Sequence, residues 1–182
     1  MTGRRLAFAG SLGATLLCFV VAAAQTIPPV VKARQDDMKS MSAAAKTLND
    51  FFLGKRQYDA TEFRTAAAVI VNKAGMRLIS HFRETAAAPG SDAQPEIANE
   101  RAKFETLASQ LKAYAARVGA AAADGDHMPQ SMRMRTAEMI EGGPFARRKA
   151  KGPDIASFTS EHAFHMMLQT CTACHAEFRE RR

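Results

Sequence analysis

Two cysteines and a histidine near the end of the chain form the pattern Cys171-Thr172-Ala173-Cys174-His175. This C-x-x-C-H spacing is typical of covalent c-type haem attachment. On a helix, residues three apart share a face, so both sulfurs can reach the two vinyl groups of one porphyrin. His175 can then place its imidazole on the iron as the proximal ligand. The pattern therefore predicts one covalently attached haem c, held by Cys171, Cys174 and His175.

Three other uses of this cysteine pair give different expectations. A redox-active pair would normally follow a strand, and no segment of the chain alternates apolar and polar residues as a strand does. A disulfide between Cys171 and Cys174 within a helix would be strained. A zinc site would need a further ligand, and the candidates His162 and His165 lie well before the pair. A haem-free structural or zinc-binding bundle stays as the alternative that visible absorption would test.

The first 24 residues are predicted to be a secretory signal peptide. Arg4 and Arg5 give a positive start, residues 6–21 carry no charge, and the small residues at 22–24 suit cleavage after them. The apolar run is shorter than the roughly 20 residues of a spanning helix, so we expect no membrane span after cleavage. Residues 25–182 then suffice for one domain with its own core.

The charge balance favours a protein partner over nucleic acid. The chain carries 25 Lys and Arg against 18 Asp and Glu, a formal net charge of +7. Removing a leader that contains Arg4 and Arg5 would still leave the protein positive. A moderate positive charge suits docking to an acidic redox partner. No nucleic-acid-binding motif accompanies it, so nucleic acid is not an expected partner.

Helix-forming residues dominate the chain, and apolar side chains recur every three or four positions. A first helix is predicted from Val30 to Phe52, where Gly54 would end it. A second helix is predicted to open with the capping box Asp59–Glu62 and to continue past Gly75. The predicted buried faces of these two helices are Val31, Arg34, Met38, Met41, Ala45, Leu48 and Phe52, and Phe63, Ala67, Ile70, Ala74 and Leu78.

Two further helices and an insertion complete the predicted fold. The third helix would start at Pro95 and end at residues 124–126, and the last would run from residues 153–154 to the C-terminus. Between them, residues 127–152 form a methionine-rich insertion with a short extra helix and a basic loop. The sequence therefore predicts an all-α, antiparallel four-helix bundle with this insertion before the last helix. The predicted inner face of the last helix is Phe164, Met167, Leu168, Cys171, His175 and Phe178.

These residues resemble the cytochrome c′/cytochrome c556 family, the class II c-type cytochromes of bacteria. The haem motif near the C-terminus is typical of that family, and the resemblance covers nearly all of residues 30–182. The insertion departs from it, because family members have a much shorter connection there. The other matching segments are Arg34-Gln35-Asp36-Asp37-Met38-Lys39, Tyr58-Asp59-Ala60, Gln94-Pro95-Glu96-Ile97 and Arg179. The resemblance implies a periplasmic haem protein that is not an enzyme.

The family includes two kinds of haem site, and Met38 lies at the position that separates them. In one kind a first-helix methionine is the second iron ligand, and the protein carries single electrons between redox proteins. In the other kind this residue only packs over the haem, leaving iron open to nitric oxide or carbon monoxide. Because Met/His ligation raises the haem potential and suits electron transfer, we expect Met38 to ligate iron opposite His175. Met41 is a competing ligand, and a merely packing Met38 beside open iron is the alternative function.

Two arginines are expected to contact the haem propionates. Arg34 puts a permanent charge into an otherwise apolar stripe, which is costly unless a carboxylate pairs with it. Arg179 follows His175 by four residues and matches a common arginine of the family. The alternatives are that Arg34 reaches water from the helix end and that Arg179 belongs to a solvated C-terminus. Many open-iron members of the family also dimerise through their first two helices, so a homodimer is a further expectation.

Overall fold

A computed structural model describes residues 26–83, 88–139 and 154–180 of the chain. Four of its helices, the first, second, fifth and seventh in chain order, form an antiparallel four-helix bundle, as predicted. No strand is present in the described parts of the chain. The helices are α1 (Pro29–Phe52), α2 (Ala60–Lys73), α3 (Met76–Ser80), α4 (Glu96–Asn99), α5 (Arg101–Ala120), α6 (Thr136–Met139) and α7 (Ser160–Phe178), with short 3-10 helices at Gln130–Met132 and Ile155–Ser157.

Helix α1 agrees closely with its predicted bounds. Pro29 occupies the first helical position, where its missing N–H is no loss and its fixed φ favours the helix. Gly54 follows the other end with a φ of +65°, and the next residue, Lys55, donates its N–H to the Asp50 carbonyl at 2.9 Å. Such a left-handed glycine satisfies the last carbonyls of a helix and ends it.

The predicted second helix is two helices, separated at Gly75. The Asp59 side chain accepts the Glu62 N–H at 2.7 Å, which confirms the predicted cap of α2. The prediction that this helix continues to Leu78 was wrong, because α2 ends at Lys73 and Leu78 belongs to α3. Gly75 has a φ of +62° and donates its N–H across the bundle to the Ala108 carbonyl at 3.0 Å. That bond to α5 replaces the next hydrogen bond within the helix.

The third and fourth predicted helices are also shorter than expected. After Pro95 the chain forms α4 and then α5, interrupted at Glu100, and α5 ends at Ala120 before the predicted stop at residues 124–126. Helix α7 begins at Ser160 and not near residues 153–154, because Thr159 caps it by accepting the His162 N–H at 3.3 Å. Asp154 instead caps the separate 3-10 turn.

The buried side chains form two clusters along the bundle. The large cluster fills the end where α1 and α5 finish and α7 starts, and its aromatic members include Phe51, Phe52, Tyr58, Phe63 and Phe164. The small cluster lies at the other end, where α7 finishes. Its buried members are Leu78, Ile79, Phe82, Ile97, Phe104, Ala108 and Phe178.

The described part of the insertion packs on the bundle end that holds the large cluster. Met132 is fully buried, and its sulfur accepts the Ala123 N–H at 3.3 Å. Arg133 donates to the Phe52 carbonyl at the end of α1 and to Glu161 in α7, at 2.6 and 3.3 Å. The insertion therefore ties together the ends of three bundle helices. The predicted short extra helix is α6, whereas the basic run at 147–151 lies outside the described residues.

Glu138 in α6 is the buried anchor of this insertion. Its oxygens accept the N–H and hydroxyl of Thr159 at 3.1 and 3.0 Å, and the N–H and guanidinium of Arg135 at 2.8 and 2.9 Å. Burial alone would raise the pKa of Glu138, but these hydrogen bonds outweigh it and hold the pKa well below the usual range. An ionised carboxylate therefore fastens the insertion to the residue that caps α7.

Among the helices described, none is long and apolar enough to span a membrane. The predicted signal peptide, residues 1–24, lies outside the described residues, so its cleavage stays a prediction.

Candidate functional site

Cys171 and Cys174 lie on α7 as half-buried free thiols. Cys171 packs against the large cluster and Cys174 against the small one. Burial raises the pKa of both thiols, that of Cys174 to about 11. Both thiols are therefore protonated at neutral pH and are weak nucleophiles in this state. Two sulfurs three residues apart on one inward helix face have the arrangement that a double thioether requires.

His175 lies in the last turn of α7, where its side chain is exposed. The prediction that it shares the inner face with Phe178 was wrong in this respect. It follows Cys171 by four residues, which turns it about 40° around the helix from that sulfur. Desolvation by the neighbouring groups of the protein, and then the charge of Arg179, lower the pKa of His175. A lowered pKa favours the neutral imidazole, which is the form that can ligate iron.

Met38 lies on α1 between the two clusters. It is half-buried and packs against both of them, as the cysteine pair does. Met41, one turn further along α1, is buried within the large cluster. The packing thus places Met38, and not Met41, beside the same pair of clusters that the two cysteines touch.

Arg34 is buried, with only 4% of its surface exposed. Its guanidinium donates to the His81 carbonyl through Nε at 2.8 Å and through Nη2, and lies 4.1 Å from the centre of the Phe82 ring. The alternative that Arg34 reaches water is wrong. Its contact with a propionate stays a prediction, and the carbonyl and the ring already stabilise part of its charge. His81 itself is half-buried, and its Nδ1 is enclosed.

Arg179 follows the last residue of α7 and is exposed. Its guanidinium lies 3.5 Å from a carboxylate oxygen of Asp92. Around it, the Gln94 N–H bonds to the Phe178 carbonyl at 3.0 Å, and the Glu180 N–H bonds to the Asp92 carbonyl at 2.7 Å. These bonds fix the end of α7 against the segment before α4. The propionate role of Arg179 stays a prediction.

A buried ionic cluster that was not predicted from the sequence lies beside Met38. The Asp37 carboxylate is 6% exposed and accepts from Lys73 Nζ at 2.6 Å and from Arg77 at 2.6 and 3.2 Å. The Arg77 hydrogen bond lowers the pKa of Asp37 and, with that of Lys73, outweighs the effect of burial. The spacing along the sequence could have indicated the burial of Asp37. Asp37 follows Arg34 by three residues and precedes Met41 by four, so it lies on the same face of the helix as these two residues.

The alternative zinc site finds no support in the described residues. No three His, Cys, Asp or Glu side chains come together there as a metal site. His162 is buried, stacked on Phe158 at 4.0 Å, with Nδ1 lying 3.4 Å from Glu138. His165 is exposed. Two thiols and an imidazole lie close together in sequence on α7, and the thioether of Met38 on α1 packs against the same two clusters as the thiols. This donor set fits haem c.

Solved structures that are similar to this chain include several cytochromes c′. The chain aligns with cytochrome c prime from Shewanella frigidimarina at 16% identity, covering 84% of this chain and 94% of that one, with a TM-score of 0.59. Cytochrome c′ from Rhodopseudomonas palustris gives 19% identity, 86% and 99% coverage, and a TM-score of 0.60. A nitric oxide complex of a mutant cytochrome c prime from Alcaligenes xylosoxidans gives 20% identity, 84% and 94% coverage, and 0.58. These likenesses establish the fold.

The fold and the site define a c-type haem protein built on a four-helix bundle. The model of the cytochrome c′ family matches residues 29–139, and the chain belongs to that family. This span includes Arg34 and Met38 and ends before the cysteine motif. Members of the family carry covalently attached haem c, are typically periplasmic and are typically not enzymes. No curated protein matches the chain.

Proposed function

We propose that this protein is a periplasmic monohaem electron carrier in which His175 and Met38 ligate the iron. The observation that carries the proposal is the packing of Met38, half-buried on α1 against the two clusters that Cys171 and Cys174 also touch. Met/His ligation raises the potential of a haem and suits electron transfer. Haem c would supply a one-electron iron couple.

The chain's own residues have three tasks in this function. Cys171 and Cys174 hold the group covalently, so that it stays bound in an exported protein. The neutral imidazole of His175 and the thioether of Met38 offer one nitrogen and one sulfur donor from opposite helices. The clusters on either side exclude water and restrict rearrangement when the charge of the site changes.

Arg34 and Arg179 are proposed to interact with the haem propionates. Arg34 supports this role because it lies one turn before Met38 and its guanidinium is held in place by His81 and Phe82. Arg179 supports it because it is exposed at the end of α7, four residues after His175. The protein's positive net charge suits an acidic redox partner.

The second candidate function is binding of nitric oxide or carbon monoxide at an open iron. A mutant of the structurally similar cytochrome c prime from Alcaligenes xylosoxidans forms a nitric oxide complex. In this chain the candidate would require that Met38 only packs between the clusters, as flexible methionines often do. The expected homodimer belongs with this candidate and stays a prediction.

Visible spectra of the haem-loaded protein, with and without carbon monoxide, distinguish the two functions. We expect a low-spin spectrum that carbon monoxide changes slowly or not at all. Met38→Leu, which keeps the volume but removes the sulfur, should give a high-spin spectrum and rapid carbon monoxide binding. Met41→Leu is the matched control and should leave the spectrum unchanged. A high-spin wild-type protein that binds carbon monoxide at once would refute electron transfer through Met38 ligation.

A further inference from the structure

One carboxylate connects α1 to the two helices that meet at Gly75. Asp37 accepts from Lys73, the last residue of α2, and from Arg77 in α3, and its own side chain is only 6% exposed. The two cations stand on opposite sides of the break in the helix. Their contacts with Asp37 therefore fix α1 against both segments at once.

The break at Gly75 is itself held to the rest of the bundle. The Gly75 N–H donates to the Ala108 carbonyl of α5 at 3.0 Å. A Cβ added at this glycine would lie 2.8 Å from Lys112, so α2, α3 and α5 approach one another closely here. Because α2, α3 and α5 pack closely here, the backbone positions of Lys73 and Arg77 are fixed. Their contacts with Asp37 then determine the rotation of α1 about its own axis.

Met38 is adjacent to Asp37, about 100° further around α1. Arg34, one turn before Met38, makes a second buried polar contact by donating to the carbonyl of His81 just beyond α3. A helix held at both of these points cannot turn about its axis without breaking one contact. Breaking a buried ionic contact is costly because it leaves a charge without its partner.

We propose that Asp37 is a positioning residue for Met38: through Lys73 and Arg77 it holds α1 at the rotation that presents the thioether to the iron. This role rests on the proposed ligation by Met38 and explains what keeps the Met38 sulfur bound to the iron. Asp37 itself does not touch the haem. Without its carboxylate, α1 can shift, and the fraction of molecules with an open iron position increases.

The rate of carbon monoxide binding to the reduced holoprotein measures that open fraction. When only the open form binds, the apparent affinity and rate scale with its population. Asp37→Asn should raise the binding rate about tenfold, which corresponds to about 1.4 kcal/mol less favourable Met38 ligation. The matched control is Asp36→Asn, which removes the same charge one residue earlier from an exposed pair with Lys32 at 2.9 Å. It should stay within about twofold of wild type.

Lys73→Gln and Arg77→Gln provide a second route to the same contact. Their side chains are 26% and 50% exposed, so each can be replaced without burying an unpaired group of its own. We expect each to raise the carbon monoxide rate by less than Asp37→Asn does, since Asp37 keeps one cation in each variant. These two variants decide the matter if Asp37→Asn fails to fold, as judged by far-UV circular dichroism.

The outcomes separate this inference from the proposed function. If Asp37→Asn, Lys73→Gln and Arg77→Gln all bind carbon monoxide no faster than Asp36→Asn, Asp37 does not position Met38. Ligation by Met38 would survive that result, provided that Met38→Leu still abolishes the low-spin spectrum. A wild-type protein that is high-spin, with a spectrum unchanged by Met38→Leu, overturns both.

Discussion

The buried anchor of the insertion can be tested with the variant Glu138→Gln, which keeps the shape of the side chain and removes its charge. Each carboxylate oxygen of Glu138 accepts two hydrogen bonds. Oε1 accepts the Thr159 N–H and the Arg135 guanidinium, and Oε2 accepts the Arg135 N–H and the Thr159 hydroxyl. The side chain is 7% exposed, so water replaces none of these partners easily.

The expected loss of stability follows from this geometry. A glutamine has one acceptor oxygen, and its NH2 group must replace either Oε1 or Oε2. In both orientations the NH2 faces a backbone N–H, that of Thr159 or that of Arg135. A buried donor left without an acceptor costs about 1–3 kcal/mol, and the charge-assisted bond to Arg135 is weakened as well. We therefore expect a loss of about 2–4 kcal/mol, equivalent to a fall in melting temperature of roughly 4–16 °C.

Urea unfolding of the holoprotein at pH 7, followed by far-UV circular dichroism, measures this loss. The control is Glu105→Gln, which breaks a half-exposed pair with Arg101 on α5, 2.7 Å long, with the two side chains 45% and 31% exposed. Such a surface pair contributes about 0–1 kcal/mol, so the control should unfold nearly as wild type does. If Glu138→Gln costs no more than Glu105→Gln, the carboxylate does not anchor the insertion, and the reasoning from its hydrogen bonds is refuted.

Two further predictions concern the same scaffold. Because hydrogen bonds lower the pKa of Glu138 in the folded protein, its contribution to stability is complete above the unfolded pKa of about 4.3 and is lost as pH falls toward the lower folded value. Urea titrations between pH 6 and pH 3 should therefore show a steeper loss in wild type than in Glu138→Gln, and parallel curves would contradict this. In the same assay, Gly75→Ala should lower the free energy of unfolding by at least about 1 kcal/mol more than Gly54→Ala does. Equal losses in the two variants would contradict this prediction. Both glycines have a positive φ, but a Cβ at Gly75 meets Lys112, whereas one at Gly54 meets nothing within 4 Å.

The elements that the sequence predicted well are those set by local chemistry. The cap of α2 depends on Asp59 and Glu62, three residues apart, and the end of α1 depends on Gly54. The predictions failed where a distant segment competes with the local pattern. Periodicity carried the second helix to Leu78, yet the Gly75 N–H bonds to α5 instead.

The candidate site also combines features that the local sequence predicted with features that depend on distant segments. The motif of Cys171, Cys174 and His175 spans little more than one turn of one helix, and both thiols are half-buried there. The exposure of His175 was not predicted, because it depends on how far α7 is rotated against its neighbours. The partners of Arg34 could not be named either, since His81 and Phe82 lie more than 40 residues later in the chain.

By itself the sequence determined the helical class, the covalent haem motif and the family, because these depend on residues a few positions apart. Only the tertiary structure decided which charges are buried and what they bind. Asp36 and Asp37 are neighbours of identical type, yet one is exposed beside Lys32 and the other is enclosed between Lys73 and Arg77. The pattern of one helix does not contain that difference. It arises because burial removes water from one carboxylate, which must then find its counter-charges on the helices that face it.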